Sequence, residues 1–102
     1  MTNAVRNAAR NSLGSRIEGY AQASVALSTT AAQSAALTEG VYEVWCASDF
    51  YLKNALDASD VLTTTGLLVK ANIIKPIIVR EGTKLGAILA ASTATMFYHR
   101  VG

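Results

Sequence analysis

The sequence predicts an all-β domain, a small antiparallel β-sandwich or jelly-roll-like barrel with an extended or partly helical N-terminal arm, and three observations predict it. After Gln33, short β-branched or aromatic runs recur between turn signals such as Arg80-Glu81-Gly82-Thr83. The connections between these runs are too short for the crossovers that parallel strands need, so the pairing must be mostly antiparallel. Across residues 38–53 the side chains sort with a period of two: Tyr42, Val44, Cys46, Ser48, Phe50 and Leu52 fall on one face, and Val41, Glu43, Trp45, Ala47, Asp49, Tyr51 and Lys53 on the other. The even face is apolar enough for a core. Two sheets packed face to face, or one sheet closed on itself, would bury it.

The elements follow in chain order. Residues 1–30 form the arm, rich in Ala, Asn, Ser and Arg, with Leu13 and Ile17 spaced as on one helical turn. Gly14 and Gly19 interrupt that spacing, and each glycine in a helix costs about 1 kcal/mol relative to Ala. The arm is therefore expected to be ordered by what it touches, with residues 24–28 as a candidate first short strand. Residues 31–102 form the sandwich. Its opening strand, after Thr38-Glu39-Gly40, either runs on through Asp49 with a bend or turns back as a hairpin at residues 47–49, because a straight strand of that length would be unusually long. The bent strand is preferred, which keeps Trp45 and Tyr51 on one face. Residues 54–60 read as a loop. Further strands are expected at 63–69, 73–80, 85–89 and 95–101. Pro76 cannot donate a ladder hydrogen bond, so its strand lies at an edge or is interrupted there. Gly86, inside an apolar run, marks a bulge or a close backbone approach.

The chain has 102 residues, 51% of them hydrophobic and 16% charged, which suits one packed domain rather than a disordered segment. The single cysteine, Cys46, excludes an internal disulfide and falls on the apolar face as a small hydrophobe. No apolar run approaches a membrane span and no signal-peptide block opens the chain, so a soluble protein made in the cytoplasm is expected. The net charge of +2 belongs to the arm, where Arg6, Arg10 and Arg16 face only Glu18; from Tyr20 onward the charges cancel.

Little in the sequence points to chemistry. His99 is the only histidine, and a zinc site would have to gather Cys46, His99 and carboxylates from separate strands. Asp49, Asp57 and Asp60 lack the alternating acids and central glycine of a calcium loop, and turn roles fit them better. Glu43 and Asp49 have no implied buried setting that would separate their pKa values into acid and base. There is no Gly-x-Ser-x-Gly and no glycine-rich phosphate loop. Neither an enzyme nor a cofactor or metal is expected. Arg6, Arg10 and Arg16 make a modest footprint for phosphates and would serve equally on an acidic protein surface, so nucleic acid is not the favoured partner. Trp45 and Tyr51 are the sharper candidates: large aromatics among charges suit an interface or a sugar-stacking face, unless they lie in the core or under a loop.

The order Gly40-Val41-Tyr42-Glu43-Val44-Trp45, Asp49-Phe50-Tyr51-Leu52-Lys53 and Gly66-Leu67-Leu68-Val69-Lys70-Ala71, followed by the strand–turn–strand run from Pro76 to Ile88 and the closing run from Ala94 to Val101, resembles small β-sandwich virion proteins of tailed bacteriophages, of the capsid decoration or cement type. The resemblance spans residues 38–101. It implies a virion structural protein that binds the major capsid protein or another virion protein and stabilises subunit contacts, as a homo-oligomer with a trimer favoured. The partner-binding residues would be Arg6, Arg10 and Arg16 on the arm and Trp45 and Tyr51 on the domain. The alternatives are a carbohydrate-recognition module displayed on the virion, or a head-fibre, neck or tail component.

Overall fold

A computed structural model describes residues 22–102, which form an all-β sandwich. Eight strands run in the order β1 (Ala23–Leu27), β2 (Ala32–Gln33), β3 (Gly40–Cys46), β4 (Phe50–Ala55), β5 (Leu67–Val69), β6 (Lys75–Val79), β7 (Lys84–Ile88) and β8 (Ala94–Arg100). They assemble into two four-stranded antiparallel sheets, β1-β8-β3-β6 and β2-β7-β4-β5. First pairs with last, second with seventh, third with sixth and fourth with fifth, the nested pairing of a jelly roll. Arg6, Arg10 and Arg16 lie outside the described residues, as does most of the arm. Residues 23–27 of the segment assigned to the arm are a full strand of the sandwich, with Leu27 buried in its core.

The period-two face behaves as its composition requires. Tyr42, Val44 and Cys46 from one sheet meet Phe50 and Leu52 from the other, joined by Leu27, Val79, Met96, Leu85 and Leu89 in one cluster. Cys46 is fully buried and free. The chain neither bends through residues 47–49 as one strand nor turns back there as a hairpin. It crosses from one sheet to the other, so β3 and β4 do not pair. The period survives the crossing because both sheets bury the same parity toward a shared core.

Two loops complete the frame. Asp49, at the crossing, accepts the Ala71 amide on Oδ1 (2.8 Å) and the Lys70 ammonium on Oδ2 (2.9 Å), while the Asn72 amide donates to the Cys46 carbonyl (2.8 Å). The β5–β6 link is thereby clipped to the crossing. The Lys70 hydrogen bond, then that of Ala71, holds the Asp49 carboxyl below its ordinary range. Residues 56–66 fold over the outer face of the β2-β7-β4-β5 sheet, where Ala58 and Val61 are fully buried. Gly86 permits this approach: a Cβ there would overlap the Ala58 carbonyl, and one at Gly66 would lie 2.8 Å from the Tyr51 Cβ. Of the run expected at 63–69 only Leu67–Val69 is a strand, since the Thr65 and Gly66 amides turn back onto the Leu62 carbonyl. Pro76 sits on β6, an edge strand.

Candidate interaction surface

The outer face of the β1-β8-β3-β6 sheet has no covering loop among the described residues, and strand register fixes what it carries. One row runs from Trp45 on β3 to Phe97 on β8 and Ser24 on β1. The β3–β6 register, continued by one residue, brings Ile74 level with Trp45 on the other side. The next row is Pro76, Glu43 and His99, and the third is Ile78 with Val41. Trp45 stacks on Phe97 with ring centroids 4.7 Å apart and planes inclined by 26°. Such a stack adds about 0.5–1.5 kcal/mol beyond the area it buries. Between the apolar rows, His99 Nε2 lies 3.1 Å from Glu43 Oε1, and both side chains are largely shielded. The pair satisfies the polar groups of the middle row within the face itself.

The apolar character continues around the β6 edge. Leu67, Leu68, Ile73, Ile74 and Ile78 are exposed within one short span, Ile78 at 80%. Isolated exposed leucines and isoleucines are ordinary, whereas five of them within residues 67–78 make this edge a candidate interaction surface. The two sheets thus differ outward: one face is covered by residues 56–66, which themselves leave Leu56 and Leu62 exposed, while the other has no covering loop among the described residues and presents the half-buried Trp45 and Phe97 with the exposed Val41, Ile74 and Ile78.

This geometry separates the two aromatics singled out from sequence. Trp45 lies on the open face, whereas Tyr51 pairs with Ile88 and Leu68 on the opposite sheet, against Gly66 and beneath the 56–66 loop. The crossing at residues 47–49 sets Trp45 and Tyr51 on opposite outer faces, so within one copy they do not form a single continuous surface. Phe97, Ile74 and Ile78 take the place expected of Tyr51. The doubled isoleucines Ile73-Ile74 and Ile77-Ile78 carried a signal for this, since in an extended run one of each pair must face outward.

The polar residues do not converge. Asp49 is taken by Lys70, Asp57 accepts from the Ser59 hydroxyl (2.6 Å) and amide, and Asp60 pairs with Lys53 at 2.6 Å. Among the described residues no three His, Cys, Asp or Glu side chains could hold a metal ion. Cys46 and His99 lie on opposite faces of their sheet. No helix of the described residues is long and apolar enough to cross a membrane. No protein-family model matches the chain, and no curated protein or solved structure matches it.

Proposed function

We propose that this chain is a structural protein of a phage virion, of the capsid decoration or cement kind, which attaches to the particle through the outer face of the β1-β8-β3-β6 sheet. The observation that carries this reading is the asymmetry between the two outer faces. One is covered by the chain's own loop, and the other, with no covering loop among the described residues, carries the Trp45–Phe97 stack, with Val41, Ile74 and Ile78 around the Glu43–His99 pair. Jelly rolls recur in viral capsid proteins, which agrees with the resemblance in residues 38–101 as an analogy of fold. Size adds a constraint. Four strands at about 4.8 Å and five residues at about 3.4 Å present roughly 300–400 Å², under half of the ~800 Å² that each partner buries in a standard interface. A single face would hold weakly, so attachment draws on linked copies, or on the arm bearing Arg6, Arg10 and Arg16.

The test is co-sedimentation with purified capsids. Trp45→Ala combined with Ile78→Ser is expected to abolish binding while the far-ultraviolet spectrum stays that of the folded sandwich. Binding at the level of the unaltered protein would overturn the reading. Deleting residues 1–16 separates the contributions: reduced binding assigns the arm a share, and unchanged binding leaves the sheet face alone.

A further inference from the structure

The two lateral edges of the sandwich are built differently. On one side β5 and β6 end their sheets, and this edge carries Lys70, Lys75 and Arg80, with Pro76 removing a donor from β6. Charges and proline on an edge strand are the usual means of preventing another chain from pairing there. On the other side, β1 and β2 have neither. No Asp, Glu, Lys, Arg, His or Pro occurs from Gln22 to Thr38.

The hydrogen-bonding pattern shows what this second edge offers. The Val41 carbonyl accepts from the Val101 amide and the Val41 amide donates to the Gly102 carbonyl, so odd positions of β3 bond toward β8. By antiparallel alternation Met96 and Tyr98 of β8 then turn toward β1, where they face Val25 and Ala23. The amides and carbonyls of Ser24 and Ala26 therefore point outward, away from the sheet. The edge closes at Ser28, whose carbonyl accepts the Leu89 amide at 2.9 Å. Beneath it the described residues seal the core incompletely, because β2 is only two residues long and Ala23, Val25, Ala32 and Leu37 remain half-buried.

We propose that a second copy of this chain docks on this edge, the two β1 strands pairing antiparallel about a two-fold axis at Val25 to join both β1-β8-β3-β6 sheets into one eight-stranded sheet. The segment is self-complementary in that register. Ser24 of one copy faces Ala26 of the other on both sides of the axis, each pair exchanges two backbone hydrogen bonds, and the side chains are small enough not to clash. Among residues 22–28 there is no charge to be brought near its like. A threefold ring closed by strand pairing would instead require β1 to meet a different edge of its neighbour, and the β6 edge is blunted by Pro76, Lys75 and Arg80. The pair leaves the outer sheet faces of both copies open on one continuous surface, and it stands whatever that surface binds.

Proline at Ser24 or Ala26 removes only an outward donor and leaves the ladder to β8 intact, which makes it a selective probe. In sedimentation of the full chain, mass is expected to rise with concentration from 10.7 kDa toward twice that value. Ser24→Pro and Ala26→Pro are expected to remain at one chain over the same range, while Ile78→Pro, at the guarded edge, pairs like the unaltered protein. Hydrogen exchange on the unaltered chain decides the matter even if both proline variants unfold: the Ser24 and Ala26 amides should gain protection as the pair forms. A single-chain mass up to about 1 mM, at the weak limit of a specific complex, would overturn the proposal. So would proline variants that pair normally, or protection of these two amides in dilute single chains, which would give the edge to the chain's own first residues.

Discussion

At the level of single residues the fold separates positions that are apolar for the core from positions that are apolar for a surface. Phe50 is fully buried between the sheets, and Phe50→Ala is expected to cost about 3–5 kcal/mol. That is a large part of the 5–15 kcal/mol that holds a domain together, and a urea melt would read it as a lower midpoint at unchanged slope. Trp45, on the open face, behaves differently. Trp45→Ala gives up the stack on Phe97, expected to be worth about 1 kcal/mol, with the cooperative transition retained. Cys46 is fully buried, so a thiol reagent should modify it only as fast as the protein unfolds. Modification at the rate of a free thiol would contradict its place in the core.

At the level of elements, the loops decide which faces remain available. The 56–66 loop can lie on its sheet only because Gly86 lacks a side chain where the Ala58 carbonyl sits. Gly86→Ala is expected to lift the loop or strain the sheet, at about 1–3 kcal/mol, and to quicken hydrogen exchange around Val61. Gly82 offers the complementary case: a Cβ there meets nothing, but φ is +83°, so Gly82→Ala costs about 1–2 kcal/mol through the backbone alone. The clip between the crossing and the β5–β6 link depends on pH. Because the folded Asp49 carboxyl lies below the ordinary aspartate value of 3.8, its contribution is present above that value and is lost as pH falls below it. Asp57, lowered first by the Ser59 hydroxyl and then by its amide, acts in the same sense and window. Urea midpoints from pH 6 to pH 2 should fall less steeply in Asp49→Asn than in the unaltered chain.

At the level of the whole molecule, nested pairing makes the last strand complete what the first begins. Val25 pairs with Met96, so β1 and β8 must meet across nearly the full described chain. Non-local pairing of this kind places folding in the millisecond-to-second range, which stopped-flow fluorescence of Trp45 would follow. It also makes the domain intolerant of losing either end strand. Removing residues 1–27 is expected to abolish cooperative unfolding, since Leu27 leaves the core and β8 loses a partner, whereas removing residues 1–16 leaves every described strand in place.

Much of this was legible in the chain. The period-two alternation of Tyr42, Val44, Cys46, Phe50 and Leu52 determined an all-β fold and its central core residues, because side-chain parity in a strand is local geometry. Pro76 marked an edge strand and Gly86 a close backbone approach for reasons equally local, a missing donor and a missing Cβ. What lay beyond the sequence was which sheet each run joined. Parity is the same whether the chain bends, turns back or crosses at residues 47–49, and only the packing of two sheets around one core sends Trp45 and Tyr51 to opposite sides. Likewise Trp45, Phe97 and Ile78 are distant in sequence, and only antiparallel register sets them on one face, without a covering loop among the described residues.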